Sequence, residues 1–129
     1  MGKFVYYNPN PCGKSVGDCT VRAIAKALEQ DWETTYIGLA LQGLLMGDMP
    51  NADNVWGAYM RLHGFHRRLL SDDLPDFYTV ADFARDNPNG TFVLSMPGRH
   101  VVVVINGDWL DSWDSGREEP TYYWERKGN

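Results

Sequence analysis

Cysteine is scarce in this chain: Cys12 and Cys19 are the only two in 129 residues. Two thiols cannot build a four-thiolate zinc site, and no C-x-x-C spacing is present. No apolar run is long enough to span a bilayer, so no membrane association is expected. The opening residues, Met1-Gly2-Lys3-Phe4-Val5-Tyr6-Tyr7, lack the apolar core of a signal peptide. Gly2 is followed by Tyr6 and Tyr7 where a myristoylation signal has Ser or Thr. The expected compartment is therefore the cytoplasm, where a structural disulfide is disfavoured. Positive charge is also short: 12 Lys and Arg stand against 17 Asp and Glu, a net charge of −5. That disfavours a large electrostatic footprint on nucleic acid. No repeat, low-complexity tract or long linker divides the chain, so residues 1–129 read as one domain.

What the chain has is apolar content of 43%, enough for a core, and five Trp with seven Tyr. So many aromatics suggest a dense core and an aromatic-lined groove. Phe4 to Tyr7 reads as a short strand, followed by a Pro/Gly loop to Gly17. Asp18 is a plausible cap for a helix on which Val21, Ile24, Ala25 and Leu28 recur at i, i+3, i+4 and i+7, ending near Gln30. Asp31 caps a second helix from Trp32 to about Met46, closed by Gly47 and Pro50, with Trp32, Tyr36, Leu39, Ala40 and Leu44 as its apolar set. A third helix starts at Asn51 or Asp53 and stops at Gly64, and Phe65 to Leu70 then forms a strand. Thr79 with Asp82 makes a capping box for a short helix. From residue 91 the period becomes two: 91–96, 99–105, 109–113 and 121–125 read as strands. The expected class is α+β, with N-terminal helices packed on a C-terminal antiparallel sheet.

The chemistry-bearing residues are Cys19, His100 and Asp111. Cys19 follows Gly17-Asp18 at a helix start, where free amides and the helix dipole lower a thiol's pKa and can receive an oxyanion. The competing reading is a small buried residue in the first helical turn. Cys12, in a loop with no helix behind it, is the rival nucleophile or a resolving thiol. His100 opens the run His100-Val101-Val102-Val103-Val104-Ile105. If Asn106-Gly107 is a two-residue turn, Ile105 pairs with Asp108 and Val102 with Asp111, and His100 and Asp111 share a face. A three-residue turn would instead put Asp114 against His100. A carboxylate there would fix the imidazole tautomer and favour the imidazolium.

This order of Cys, His and carboxylate resembles that of the papain-like cysteine peptidases. The family places Cys at the start of a long helix, His at the start of a later strand, and Asn or Asp further along the sheet. The Asn-Ser-Trp-Gly of papain-type enzymes is similar to Asp111-Ser112-Trp113-Asp114, and Asp in the first position also occurs in bacteriocin-leader peptidases. The resemblance implies that Asp111 orients His100 and that Trp113 shields their contact. Small papain-like proteins of bacteria, phages and prophages are similar along nearly the whole chain, in 17–24, 48–50, 55–59 and 122–124, but bring no substrate with them. The family's oxyanion Gln, about six residues before the Cys, is replaced by Gly13. Asn8 and Asn10 are the nearest amides, and both can equally make Asx turns before Pro9 and Pro11.

Other clusters carry less. His63 and His66 straddle Gly64 and share no helix face, so no metal site is expected. Arg61, Arg67 and Arg68 beside Phe65 suit a solvated strand edge, although recognition of an acidic substrate tail or of nucleic acid is an alternative. Leu39, Leu44, Leu45 and Met46 suit helix packing, with a partner surface as the alternative. The expected function is hydrolysis of a peptide, isopeptide or amide bond in a peptide or protein substrate through an acyl-enzyme, with no cofactor. The alternatives are acyl transfer to an amine by the same triad, or a phage or mobile-element module that binds protein without turnover.

Overall fold

The computed structural model describes residues 2–126. In chain order it has β1 (Phe4–Tyr6), α1 (Cys19–Leu28), α2 (Trp32–Met46), α3 (Asp53–Leu62), β2 (Phe65–Leu69), α4 (Val80–Asp86), β3 (Thr91–Met96), β4 (His100–Ile105), β5 (Asp108–Asp111) and β6 (Tyr122–Arg126). The six strands form one sheet in the order β1-β5-β4-β3-β6-β2.

Local chemistry explains most of the boundaries. The Asp31 carboxylate accepts the Thr34 N–H at 2.7 Å, and Gly47 ends α2 in the left-handed region at φ 67°. Thr79 and Asp82 exchange both hydrogen bonds of a capping box at the start of α4. Asn106 and Gly107 both have positive φ, 49° and 85°, as a two-residue type I′ turn requires. The ladder accordingly runs Ile105–Asp108, Val104–Trp109 and Val103–Leu110.

The sheet is mixed, which corrects the expectation of a purely antiparallel one. β1 comes from the N-terminus and pairs parallel with β5, and every other pairing is antiparallel. The helices are also divided between its faces. On one face, Ile24, Leu39, Trp56 and Met60 from α1–α3 bury Val93, Val101, Val103 and Trp124. On the other, Val80, Phe83 and Ala84 of α4 cover Phe92, Leu94, Val102 and Val104. A strand buried on both faces must be apolar at every position, which accounts for the unbroken valine run of β4.

Several local expectations shift. β4 starts at His100, not Arg99, because Pro97–Arg99 form a tight turn, and β5 ends at Asp111, whereas α3 starts at Asp53, one of its two expected starts. α2 buries Thr35, Leu39 and Gly43, while Ile37, Leu41, Leu44, Leu45 and Met46 are exposed. Apolar residues lie all round that helix, so its sequence marks no inner face. Arg61 of α3 and Arg67 stack over Trp124 and Tyr122, and Arg68 pairs with Glu125; Arg67 and Arg68 belong to β2, an edge strand. His63 packs on Tyr59, and His66 meets Glu125 at 3.2 Å. Among the described residues no helix is long and apolar enough to cross a membrane.

Candidate active site

Three elements converge at one end of the sheet. Cys19 is the first residue of α1, His100 the first of β4, and Asp111 the last of β5. His100 and Asp111 lie just beyond the last β4–β5 rung, Val103–Leu110, and their side chains meet each other and α1 there. The Nε2 atom of His100 lies 2.6 Å from Oδ2 of Asp111. Its other ring nitrogen is then the one left for Cys19, which lines the same cavity and is close enough for each group to shift the other's pKa.

Asp111 is 2% exposed and saturated with donors. Oδ1 accepts from Arg22 Nη2 at 3.0 Å and from the Ser112 N–H at 2.8 Å. Oδ2 accepts from Ser115 Oγ at 2.7 Å as well as from His100. Both oxygens face donors, so only an ionised carboxylate satisfies the site. Burial opposes its charge, but the hydrogen bonds from His100 and Ser115, the imidazolium charge and the Ser112 N–H prevail, and its pKa is held below the ordinary carboxylate value.

The same balance sets the other two groups. Burial disfavours a charged His100, yet the bonds and charges of Asp111 and Cys19 raise its pKa to about 9. Burial likewise opposes the Cys19 thiolate, but hydrogen bonds from His100 and the Val101 backbone, and the charges of His100 and Arg22, bring its pKa below the ordinary thiol value. The Arg99 carbonyl, 3.4 Å from Sγ, can accept from the neutral thiol. Arg99 itself sits at φ 64°, beside Gly98 at φ 78°, so this carbonyl is delivered by a tight turn in left-handed backbone. Both shifts act towards a thiolate–imidazolium pair, the reactive form of a cysteine nucleophile.

The buried charges extend beyond these three residues. Arg22, one helical turn after Asp18, bridges the Asp18 and Asp111 carboxylates. The second Asp18 oxygen accepts from Trp32 Nε1 at 2.8 Å. Asp18 therefore gives no side-chain cap to α1, contrary to the sequence expectation. Its carboxylate is used sideways, so the first amides of the helix are not consumed by it. Sequence reasoning missed this pair because Asp and Arg four apart read as a solvated helix pair. Here both side chains are about 6% exposed.

The other sequence candidates fall as follows. Trp113 lies over His100 with ring centroids 4.7 Å apart, and it is 46% exposed. Asp114 faces away, accepting from Trp109 Nε1 and the Gly116 N–H. Cys12 is exposed in the loop. Asn8 and Asn10 are not brought to the thiol. Asn8 accepts the Asn10 N–H and donates to the Lys14 carbonyl, and Asn10 accepts the Cys12 and Lys14 N–H groups, as Asx turns do. A cavity of about 410 Å³ opens over Cys19, His100 and Trp113, and the side-chain amide lining it is Asn51, from the turn before α3. Its sequence position marks only a helix start, so no sequence signal pointed to it.

Chemically, the arrangement sets a thiol of lowered pKa beside an imidazole held by a buried carboxylate, in the lining of one cavity. No family model, no curated protein and no solved structure matches this chain.

Proposed function

We propose that this protein is a papain-like thiol hydrolase that cleaves a peptide, isopeptide or amide bond. The observation that carries the reading is the Cys19–His100–Asp111 array, in which His100 lines one cavity with Cys19 and lies 2.6 Å from Asp111. The Cys19 thiolate attacks the carbonyl carbon, and the C=O electron pair moves onto oxygen. The first backbone amides of α1 and the Asn51 side chain, which lines the same cavity as Cys19, are the candidate donors for that oxyanion. Collapse of the intermediate breaks the C–N bond, and His100 gives its proton to the leaving amine. Neutral His100 then takes a proton from water, whose oxygen attacks the thioester carbon; the C–S bond breaks, the acid leaves, and the Cys19 thiolate and His100 imidazolium are restored. Asp111 keeps the imidazole oriented and stabilises its charged form throughout. The chemistry suits a reducing compartment such as the cytoplasm, where Cys12 and Cys19 stay as thiols.

Fluorogenic peptidyl amides, scanned over side chain at the scissile position, test the proposal. Turnover is expected from wild type and from Cys12→Ala, and none from Cys19→Ala. A hydroxamate product on adding hydroxylamine would reveal the acyl-enzyme, and preferential transfer to amines over water would assign acyl transfer. Equal turnover by Cys19→Ala would overturn the reading.

A further inference from the structure

Another hollow, of about 390 Å³, lies between α3 and the β6–β2 edge of the sheet. The helix is small-sided there: a Cβ on Gly57 would stand 3.0 Å from Cζ2 of Trp124, and Ala58 follows it. Two exposed arginines line the hollow from different elements, Arg61 of α3 and Arg67 of β2. Side chains alternate along a strand, so Arg67 shares the helix-covered face with Phe65, which is buried in the core. His66 and Arg68 take the other face, where both meet Glu125.

The two arginines of the hollow are held in place but chemically unspent. The guanidinium carbon of Arg61 lies 5.1 Å from the ring centroid of Trp124, and that of Arg67 lies 4.3 Å from the ring centroid of Tyr122. Stacking uses the face of a guanidinium and leaves the N–H donors in its plane available. Among the described residues neither arginine donates a hydrogen bond or enters an ion pair. By contrast, Arg68 is spent on Glu125, and Arg126, which stacks over Phe65, gives Nη2 to the Ala27 carbonyl. Two like charges lining one hollow repel each other until an anion sits between them.

The hollow meets the catalytic cavity at Asp53, which lines both. Trp56 bridges them: its N–H donates to Asp53 Oδ1 at 3.1 Å, its ring stacks on Tyr122 at 6.4 Å, and it lines the cavity over Cys19. Arg61 is eight residues beyond Asp53 on α3, which is about 12 Å of helix, the span of about four extended residues.

We propose that this hollow binds the carboxylate of an aspartate or glutamate side chain in a peptide or protein substrate, a few residues along the chain from the bond that Cys19 attacks. That the ligand is a substrate rests on the hydrolase reading, but the binding itself needs no turnover. Contact with the catalytic cavity commits the occupant to a chain that runs over Cys19 and on past Asp53. Charge favours single carboxylates over a phosphate backbone. Two free guanidiniums match one or two carboxylates, which planar forks bind bidentately, whereas a polyanion would meet Asp53 and a protein of net charge −5.

The test titrates two peptides into Cys19→Ala protein and follows the Trp124 indole N–H and the Arg61 and Arg67 Nε–H resonances. The peptides are acetyl-Gly-Glu-Glu-Gly-amide and its counterpart with Gln for both Glu. The glutamyl peptide is expected to bind at least about tenfold more tightly, as charge-assisted bonds imply. Arg61→Gln and Arg67→Gln are each expected to remove that advantage, and Arg68→Gln to keep it. Melting temperatures show which variants are folded, and either hollow variant alone decides. Equal binding of the two peptides, or an advantage that a folded Arg61→Gln or Arg67→Gln protein keeps, would overturn the site. Wild-type Cys19 that is still alkylated by iodoacetamide ahead of Cys12 at acidic pH would then leave the hydrolase standing. An advantage lost in the arginine variants, in a protein whose Cys19 alkylates no faster than Cys12, would keep the carboxylate site and overturn the hydrolase. Tighter binding of inorganic phosphate or of a short oligothymidylate than of the glutamyl peptide would overturn the carboxylate assignment.

Discussion

Replacing Asp111 with Asn is the most revealing single change, because it is nearly isosteric and yet chemically incompatible with its surroundings. Oδ1 receives Arg22 and Ser112, and Oδ2 receives His100 and Ser115. An amide has one acceptor end. If its oxygen faces Arg22 and Ser112, its NH₂ points at His100 Nε2, which must then be unprotonated. If it turns round, its NH₂ meets two donors. Either way the imidazolium loses one of the two partners, Asp111 and Cys19, that raise its pKa. Wild-type His100 titrates at about 9, against about 6.5 for a free imidazole. Asp111→Asn should bring it well below its wild-type value, because only Cys19 is then left to oppose the burial that disfavours the charged ring. Following the His100 Cε1–H resonance with pH reads this directly. The buried Arg22 also loses a charge partner, which on the scale for broken buried ion pairs costs on the order of 3–5 kcal/mol. Thermal unfolding must therefore be measured alongside. A folded Asp111→Asn protein in which His100 still titrates near 9 would refute the reasoning.

Three further outcomes follow from the geometry. Trp113→Ala should lower His100-dependent turnover by opening the His100–Asp111 bond to water, with little loss of stability because the ring is already 46% exposed; unfolding curves and turnover together check this. Thr79→Ala removes half of a capping box and should cost about 1 kcal/mol in denaturant unfolding without changing Cys19 reactivity. The stability profile with pH should show two limbs. His100 has a raised folded pKa, so its contribution is complete below about 6.5 and is lost as pH rises towards about 9. Asp111 has a lowered one, so its contribution is complete above the ordinary carboxylate value and is lost as pH falls below it. Melting temperatures across that range should flatten on both limbs in Asp111→Asn.

Much of this architecture was legible because the signals are local. The Asp31 cap, the Thr79–Asp82 capping box and the Asn106–Gly107 turn each depend on residues within a few positions, and each fixes an element boundary or a register. The register in turn places Asp111, and not Asp114, beside His100. The features that were not legible depend on distant partners. Asp18 sits where a cap belongs, yet its carboxylate turns to Arg22 and Trp32. Arg22 is buried because Asp111, 89 residues away, waits for it. β1 chooses the outer edge of β5 in parallel, a pairing that no turn announces. α4 lies on the face opposite the other helices, and a seven-residue segment carries no mark of which face it will cover.

The central claim is that Cys19 is held as a thiolate by His100. Iodoacetamide alkylation as a function of pH, with each cysteine quantified by peptide mass spectrometry, tests it most directly. At pH 6 a free thiol is only roughly 0.3% thiolate. The account predicts that Cys19 is alkylated at that pH well ahead of Cys12, and that His100→Ala or Asp111→Asn moves the Cys19 profile to higher pH. Alkylation of Cys12 first, or a Cys19 profile that His100→Ala leaves unchanged, would contradict it.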